Sequence, residues 1–282
     1  LQGIKNLLLH PEEFGGLALG DDFGGGLGGY QQAGFNWLGY MNQLSFGGCL
    51  ADDMGLGKTV QILALLEYMR EQKDRQKKSK SLLVIPASLI GNWQQEIEKF
   101  APQLQYKILH TGMGERLDPT QLDDADLYIT TYGMVVRLAE LLEVRWDLLI
   151  LDEAQAIKNP GTKQTKSIKQ LQAVSRIAMT GTPIENKLGD LWSIFDFLNC
   201  GLLGTAKEFN GMVKSLDDYS RLRKAVSPFI LRRLKTDKSI ISDLPDKVEV
   251  NAYTTLTKKQ VILYKKLVNE LEQSIRAAEG IS

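Results

Sequence analysis

The chain has 282 residues, 43% of them hydrophobic and 24% charged, a composition that excludes disordered, collagen-like and coiled-coil proteins. Lysine plus arginine and aspartate plus glutamate number 34 each, so any surface for a polyanion must be a local patch. Cys49 and Cys200 lie far apart in the sequence, which excludes a disulfide framework or a cysteine-based zinc site. Apolar runs are far shorter than the roughly 18 residues of a membrane span, and the first residues do not resemble a signal segment. We therefore expect an intracellular protein without a membrane partner.

Short apolar runs alternate with longer helical patterns through the first two hundred residues. Five runs predict strands, at 49–51, 82–85, 127–130, 148–151 and 177–179. Between the first two, Val60–Met69 is apolar nearly all round, which is typical of a helix packed against a sheet. The alternation predicts an α/β fold with a largely parallel sheet sandwiched by helices. The charge run at 70–81 is interpreted as a solvated helix end and loop.

Beyond about residue 200 the strand pattern fades and the sequence becomes helical and more charged. The stretch 256–278 predicts a long amphipathic helix. We therefore predict two domains, an α/β domain at 1–200 and a smaller helical protrusion at 201–282.

The loop after the first predicted strand has the residues of a phosphate site. The stretch 52–59 (DDMGLGKT) joins that strand to the helix at Val60. Small residues let backbone N–H groups close on phosphates, and the helix N-terminus adds partial positive charge. Lys58 can reach the β/γ-phosphates, and Thr59 offers a hydroxyl to Mg²⁺. Asp52 stands where the general pattern has its first glycine, and the alternative interpretation is an ordinary helix N-terminus.

Two further strand ends carry candidate residues. Asp152 and Glu153 follow the predicted strand at 148–151, where open α/β sheets bind ligands. Asp152 could hold Mg²⁺ and Glu153 could orient or deprotonate a water; the alternative is an acidic pair that caps the next helix. Thr180 and Thr182 follow the strand at 177–179 and can hydrogen-bond to the acidic pair or to a partner lobe, although Thr-Gly-Thr-Pro is also simply a good turn.

With these elements in this order, the chain resembles the helicase-like ATPases of superfamily 2, and within them the Swi/Snf-type translocases on double-stranded DNA. Besides the three strand ends, the resemblance rests on the segments 27–31, 34–38, 84–89, 92–93, 130–132, 157–159, 191–193, 230–233 and 243–247. The ending Ala154-Gln155 is most similar to prokaryotic members. The resemblance implies a RecA-like fold of the P-loop NTPase type, ATP and Mg²⁺ as cofactors, and double-stranded DNA as partner. It also implies a cytoplasmic, nucleoid-associated location in a prokaryote, or a nuclear one in a eukaryote.

The resemblance also indicates how much of such a protein is present. Family members usually have Arg-Pro just before the Tyr-Gln pair, whereas this chain has Gly28 and Gly29. The chain starts at Leu1 and stops at Ser282, before any counterpart of motifs IV to VI. We therefore expect the first RecA-like lobe of a longer, cut chain, whose second lobe supplies arginine fingers and half of the DNA track. Without those arginines, ATP turnover should be slower by about 10³ to 10⁵.

By resemblance, the candidate residues fall into five groups. The catalytic residues are Lys58, Asp152 and Glu153. Nucleotide contacts come from Gln31, which reads adenine, and from Met54, Gly55, Leu56, Gly57, Lys58 and Thr59. Mg²⁺ is held by Thr59 and Asp152. DNA phosphates are contacted by Pro86, Ser88, Thr131, Tyr132 and Lys158. Coupling to the partner lobe is assigned to Gln155, Thr180 and Thr182.

The predicted function is that of an ATP-binding lobe in a DNA-dependent ATPase, which translocates on duplex DNA and remodels complexes with other DNA-bound proteins without separating the strands. A nucleotide-independent docking or nucleic-acid-binding module is the alternative, and the intact set Lys58, Thr59, Asp152 and Glu153 counts against it. A small-molecule P-loop kinase would leave the Thr180–Thr182 strand end and the long helical tail unexplained.

Overall fold

A computed structural model describes residues 16–73, 79–110, 117–182, 188–215, 219–237 and 240. Within these ranges, seven parallel strands form one sheet in the order β3-β4-β2-β5-β6-β1-β7. The strands are β1 (Gly48–Leu50), β2 (Ser81–Ile85), β3 (Tyr106–Ile108), β4 (Leu127–Thr131), β5 (Arg145–Leu151), β6 (Gln172–Met179) and β7 (Ile230–Leu231). The predicted α/β fold with a parallel sheet is confirmed.

All five predicted strands are present, and two others were not predicted. The interior strand β2 is buried along its whole length, which explains its continuous apolar sequence. β3 was missed because it lies at the sheet edge and carries Lys107 between two partly exposed residues. β7 was missed because it has only two residues and is defined by its parallel pairing with β1.

Helices pack on both faces of the sheet. They are α1 (Gly29–Gln43), α2 (Lys58–Gln72), α3 (Ile90–Phe100), α4 (Tyr132–Arg137), α5 (Lys163–Gln170), α6 (Leu188–Leu198), α7 (Ala206–Lys214) and α8 (Ser220–Val226). Alternate residues of β2 point to opposite faces: Leu83 and Ile85 join the core with α1, α2 and α3, and Leu82 and Val84 join the core with α4 to α8. Among the described residues, no helix has the length and apolar character to cross a membrane.

The described residues beyond 200 pack on the same core as the α/β layers. Phe209 of α7 and Leu222 and Val226 of α8 are buried in one cluster with Phe195 and Phe197 of α6. β7 extends the sheet next to β1. The domain boundary at residue 200 stays a prediction, and the predicted helix at 256–278 lies outside the described residues.

Candidate active site

Three loops that carry predicted site residues meet at one edge of the sheet. β5, β6 and β1 are neighbours and run parallel, so their carboxyl ends lie side by side. The loops that follow these strands contain residues 51–57, 152–155 and 180–182. The structure therefore brings the three predicted motifs together at this edge of the sheet.

The loop after β1 enters α2 through two glycines in the left-handed region. Gly55 and Gly57 have φ values of 85° and 77°, which residues with a side chain adopt only at a cost. A Cβ on Gly57 would also lie 2.4 Å from Nε2 of Gln31. Leu56 is fully buried and anchors the loop, whereas Met54 is 76% exposed. The loop thus ends at the N-terminus of α2, where backbone N–H groups favour an anion.

Lys58 is the first residue of α2, and its ammonium turns back on its own loop. Nζ donates to the carbonyl oxygens of Asp52 at 2.6 Å and Asp53 at 3.3 Å. Burial lowers the pKa of Lys58, while nearby carboxylates, including that of Asp152, act in the opposite direction. An ammonium held by neutral carbonyls gains from exchanging them for charged phosphate oxygens.

The carboxylate of Asp152 is buried directly after β5 and is held by two donors. Trp93 Nε1 donates to Oδ2 at 2.9 Å, and the backbone N–H of Glu153 donates to Oδ1 at 2.8 Å. Burial raises the pKa of Asp152, and these two hydrogen bonds partly oppose that effect. The carboxylate is therefore oriented before any ligand arrives.

The backbone around Asp152 is also fixed. Glu153 has φ of 49°, an unusual left-handed conformation for a residue with a long side chain. The hydroxyl of Tyr132 donates to the carbonyl oxygen of Asp152 at 2.6 Å. Burial raises the pKa of Tyr132 well above its ordinary value, so the phenol remains a donor.

A chain of side-chain hydrogen bonds joins the acidic loop to the end of β6. Gln155 Nε2 donates to a carboxylate oxygen of Glu153, and the hydroxyl of Thr180 donates to Gln155 Oε1 at 3.0 Å. The hydroxyls of Thr180 and Thr182 are 2.9 Å apart. The residues predicted for coupling are thus connected to Glu153, although their role stays a prediction.

Gln31 lies in the first turn of α1, next to the phosphate loop. Its Oε1 accepts from the backbone N–H of Gly28 at 3.0 Å, which caps the helix. Its Nε2 lies against Gly57. The segment predicted to read adenine is therefore beside the loop predicted to bind phosphates, and the contact with adenine stays a prediction.

The residues predicted to contact DNA lie at the carboxyl ends of β4, β2 and β5. Pro86 and Ser88 follow β2, Thr131 ends β4, and Lys158 follows the short 3₁₀ turn after β5; Ser88 and Lys158 are exposed. Tyr132 is 6% exposed, and its hydroxyl is bonded to the Asp152 carbonyl. The contact of these five residues with DNA stays a prediction.

The donor set can be tested against a metal ion. In the ranges that the structure describes, no group of three or more histidine, cysteine, aspartate or glutamate residues is placed to hold one. Mg²⁺ does not require such a cage, since it commonly takes one or two protein oxygens together with substrate phosphates and waters. The half-buried Thr59, next to Lys58, and the buried Asp152 fit that pattern.

The sequence analysis assigned no role in the site to three residues that support it. The carboxylate of Asp52 is fully buried and is paired with the guanidinium of Arg233. The third is Trp93, which donates to Asp152 from 59 residues away. The sequence signal for this pairing was Asp52 itself, an acidic residue at the position of the pattern's first glycine. A buried charge requires a partner.

The chain matches a known family and known structures. The family described as SNF2-related domain matches residues 30–280. The SWI2/SNF2 ATPase core of Sulfolobus solfataricus in complex with dsDNA is 44% identical and has a TM-score of 0.75, over 94% of this chain and 56% of that chain. A second solved structure, the SWI2/SNF2 ATPase core domain of the same organism, has a TM-score of 0.72, over 91% of this chain and 53% of that chain.

Relatives of known name are much longer than this chain. YwqA of Bacillus subtilis is 38% identical over 92% of this chain and 29% of its own length. The TATA-binding protein-associated factor MOT1 of Saccharomyces cerevisiae is 38% identical over 89% of this chain and 15% of its own length. The chromatin-remodeling ATPase INO80 of Homo sapiens is 34% identical over 88% of this chain and 17% of its own length. The chain therefore spans less than a third of these relatives and just over half of the solved cores.

Proposed function

The chain belongs to the family of SNF2-related domains, and on that premise we propose that it is the ATP-binding lobe of an ATPase that moves along double-stranded DNA. Its relatives include helicase-like proteins and a chromatin-remodeling ATPase. The finer proposal is that the complete protein remodels protein–DNA complexes without separating the strands.

One observation carries the proposal: the Lys58 loop and the acidic pair follow the parallel strands β1 and β5, which are separated by β6 alone, and Asp152 is close enough to act on the charge of Lys58. Phosphoryl transfer depends mainly on positioning and on neutralising the charge of the phosphates. Lys58 and the backbone from residue 54 to 57 would hold the phosphates. Thr59 and Asp152 would hold Mg²⁺, which neutralises phosphate charge when it is bound.

Glu153 would act on a water. Its backbone is turned by the positive φ, and its carboxylate accepts from Gln155. Through Gln155 the carboxylate is linked to Thr180 and Thr182. A partner lobe that displaced either threonine would therefore change how Glu153 is held, and this supports a coupling role for the end of β6.

Duplex DNA is the proposed track. The main support is the similar Sulfolobus core that was solved with dsDNA. In this chain, Pro86, Ser88 and Thr131 lie at the carboxyl ends of β2 and β4, in the half of the sheet away from β1, and Lys158 follows the 3₁₀ turn after the middle strand β5. Such residues would contact phosphates and would not read base edges.

A second lobe is proposed as the intramolecular partner, since the chain covers 56% of the solved core. The motor would close its site only when both lobes meet. The 282-residue chain alone should therefore turn over ATP slowly with little stimulation by DNA, and addition of the downstream lobe should restore the rate. Strong DNA-stimulated hydrolysis by the chain alone would contradict this architecture.

Nucleotide binding is tested by calorimetric titration of ATP and ADP. Lys58→Ala should weaken binding at least about tenfold, as expected for one lost charge-assisted hydrogen bond. Lys207→Ala, an exposed lysine on α7, is the matched control and should bind normally. Equal affinity of Lys58→Ala and the unmodified chain would refute the phosphate site. Binding by neither, with a folded chain, would favour the nucleotide-independent docking module.

A further inference from the structure

The chain after β7 runs beside the beginning of the phosphate loop. Ala51 N donates to Leu231 O at 2.8 Å. Asp53 N donates to Arg233 O at 3.0 Å, so the parallel pairing of β1 with β7 continues past the ends of both strands. Lys235 N donates to the carboxylate of Asp53 at 3.0 Å. This segment therefore lies against the beginning of the proposed phosphate loop.

Arg233 holds the carboxylate of Asp52 with two arms of its guanidinium. Nε donates to Oδ1 at 3.0 Å, and Nη2 donates to Oδ2. The backbone N–H of Arg233 also donates to Oδ1 at 3.0 Å. The Asp52 side chain is fully buried and that of Arg233 is 12% exposed. Because water cannot replace these contacts, each charge depends on the other.

The same guanidinium contacts two helices. Nη2 donates to Oε1 of Gln61 on α2 at 2.6 Å, and Gln61 Nε2 donates in turn to Gly57 O at 3.2 Å. Nη1 donates to the carbonyl oxygen of Tyr30 on α1, and the guanidinium lies 5.2 Å from the centroid of the Tyr30 ring. One side chain thus joins α1, α2 and both ends of the phosphate loop.

We infer that Arg233 is a positioning residue for the nucleotide, because it fixes the phosphate loop between α1 and α2. The inference rests on the proposed function. The loop residue Asp52 also supplies the carbonyl that holds Lys58, so a shift of Asp52 moves the ammonium as well. Small displacements of groups that bind and orient a substrate have large effects on its use. The contacts also bring the segment after β7 into direct connection with the site.

Gly34 of α1 makes room for this arrangement. A Cβ at Gly34 would lie 1.8 Å from Gln61 Oε1 and 2.7 Å from Arg233 Nη2. Alanine is the better helix former, so Gly34→Ala favours α1 itself while it pushes Arg233 and Gln61 apart. The substitution therefore separates loss of the contact from loss of the helix.

The first test is Arg233→Lys in the whole chain, with a fluorescent ADP analogue as the probe. Lysine keeps the charge and loses the two-armed geometry. We expect affinity to fall at least about tenfold, as for one lost charge-assisted hydrogen bond. Arg223→Lys, at an exposed position of α8, is the matched control and should bind like the unmodified chain. Affinity is measured well below the melting temperature of each variant, so that only folded chain is compared.

The second test is Gly34→Ala against Gly211→Ala, where a Cβ on α7 meets open space. Weaker ADP binding by folded Gly34→Ala, but not by Gly211→Ala, supports the positioning role. A purely structural role predicts a lower melting temperature and unchanged affinity of the folded chain, which would overturn the inference. If Lys58→Ala loses binding while Arg233→Lys and Gly34→Ala keep it, only the role of Arg233 fails. If the unmodified chain binds no ADP, the proposed function fails and this inference fails with it.

Discussion

Trp93→Phe tests how the site supports its buried carboxylate. The indole N–H donates to Oδ2 of Asp152 at 2.9 Å, Trp93 is fully buried, and Asp152 is 8% exposed. The substitution keeps an aromatic ring in the core and removes one donor from the carboxylate. We expect a lower free energy of unfolding, with a loss that depends on pH.

The magnitude follows from two contributions. A hydrogen bond to a charged group is worth about 1.5–3 kcal/mol. The smaller ring leaves roughly 40 Å³ unfilled, which costs about 1 kcal/mol at roughly 24 cal/mol per Å³. The free energy of unfolding should therefore fall by about 2.5–4 kcal/mol at neutral pH.

Only the hydrogen-bond contribution depends on the ionisation of Asp152. Burial raises the pKa of this carboxyl, so the folded chain loses stability as the pH rises from the ordinary carboxyl pKa to the raised one. The Trp93 hydrogen bond limits that loss, because it stabilises the ionised form. Without it the pKa rises further, and the difference between Trp93→Phe and the unmodified chain grows with pH. At acidic pH the difference should shrink toward the packing cost of about 1 kcal/mol.

Urea unfolding followed by circular dichroism, at several pH values between about 4 and 8, measures this dependence. Trp192→Phe is the matched control, because Nε1 of Trp192 donates to the neutral carbonyl of Gly204 at 3.0 Å. Its cost should not change with pH. A destabilisation by Trp93→Phe that is equally independent of pH would refute the reasoning.

Three further outcomes are expected. Gly57→Ala should lower the free energy of unfolding by about 1–2 kcal/mol and weaken ADP binding, because it adds a Cβ at a φ of 77° and against the Gln31 side chain. Thermal melting and ADP titration measure these effects, and a variant as stable as the unmodified chain would contradict the prediction. Tyr132→Phe should lower the free energy of unfolding by about 1 kcal/mol and leave duplex affinity unchanged, since the hydroxyl bonds to the Asp152 carbonyl. Weaker DNA binding in anisotropy titrations would instead support a contact between the Tyr132 hydroxyl and DNA. DNA binding by the chain should be weak, independent of sequence and stronger for duplex than for single strands. The slope of log affinity against log salt concentration should be about −0.9 per neutralised phosphate, with only a few phosphates involved. Tight, salt-insensitive or base-specific binding, or strand displacement by the complete protein, would count against a duplex translocase.

The parts of the site that could be predicted are those that depend on residues adjacent to one another in the sequence. Gly57 and Lys58 adjoin a strand and a helix that the apolar pattern indicates, and Asp152 directly follows a buried strand. Parallel strands place their carboxyl ends at one edge, so the convergence of these residues followed from the fold class.

The supporting contacts were not predictable because they join distant parts of the chain. Asp52 stood out only as a departure from a pattern, and its partner Arg233 is 181 residues away, after a strand of two residues. Tyr132 was assigned to DNA by the family resemblance, and the bond of its hydroxyl to a carbonyl 20 residues away could not be predicted from the sequence. Such pairings depend on tertiary packing, which neither periodicity nor spacing encodes.

The pairing of β1 has a consequence for the order of folding. Gly48 pairs with Ile177 and Cys49 with Ile230, so both neighbours of this strand come much later in the chain. Closing such long loops is slow, and during synthesis β1 leaves the ribosome long before either partner exists. The phosphate loop is therefore among the first parts of the sheet to be made and among the last to be held in place, so its backbone amides should gain protection from hydrogen exchange later than those of β2 and β4.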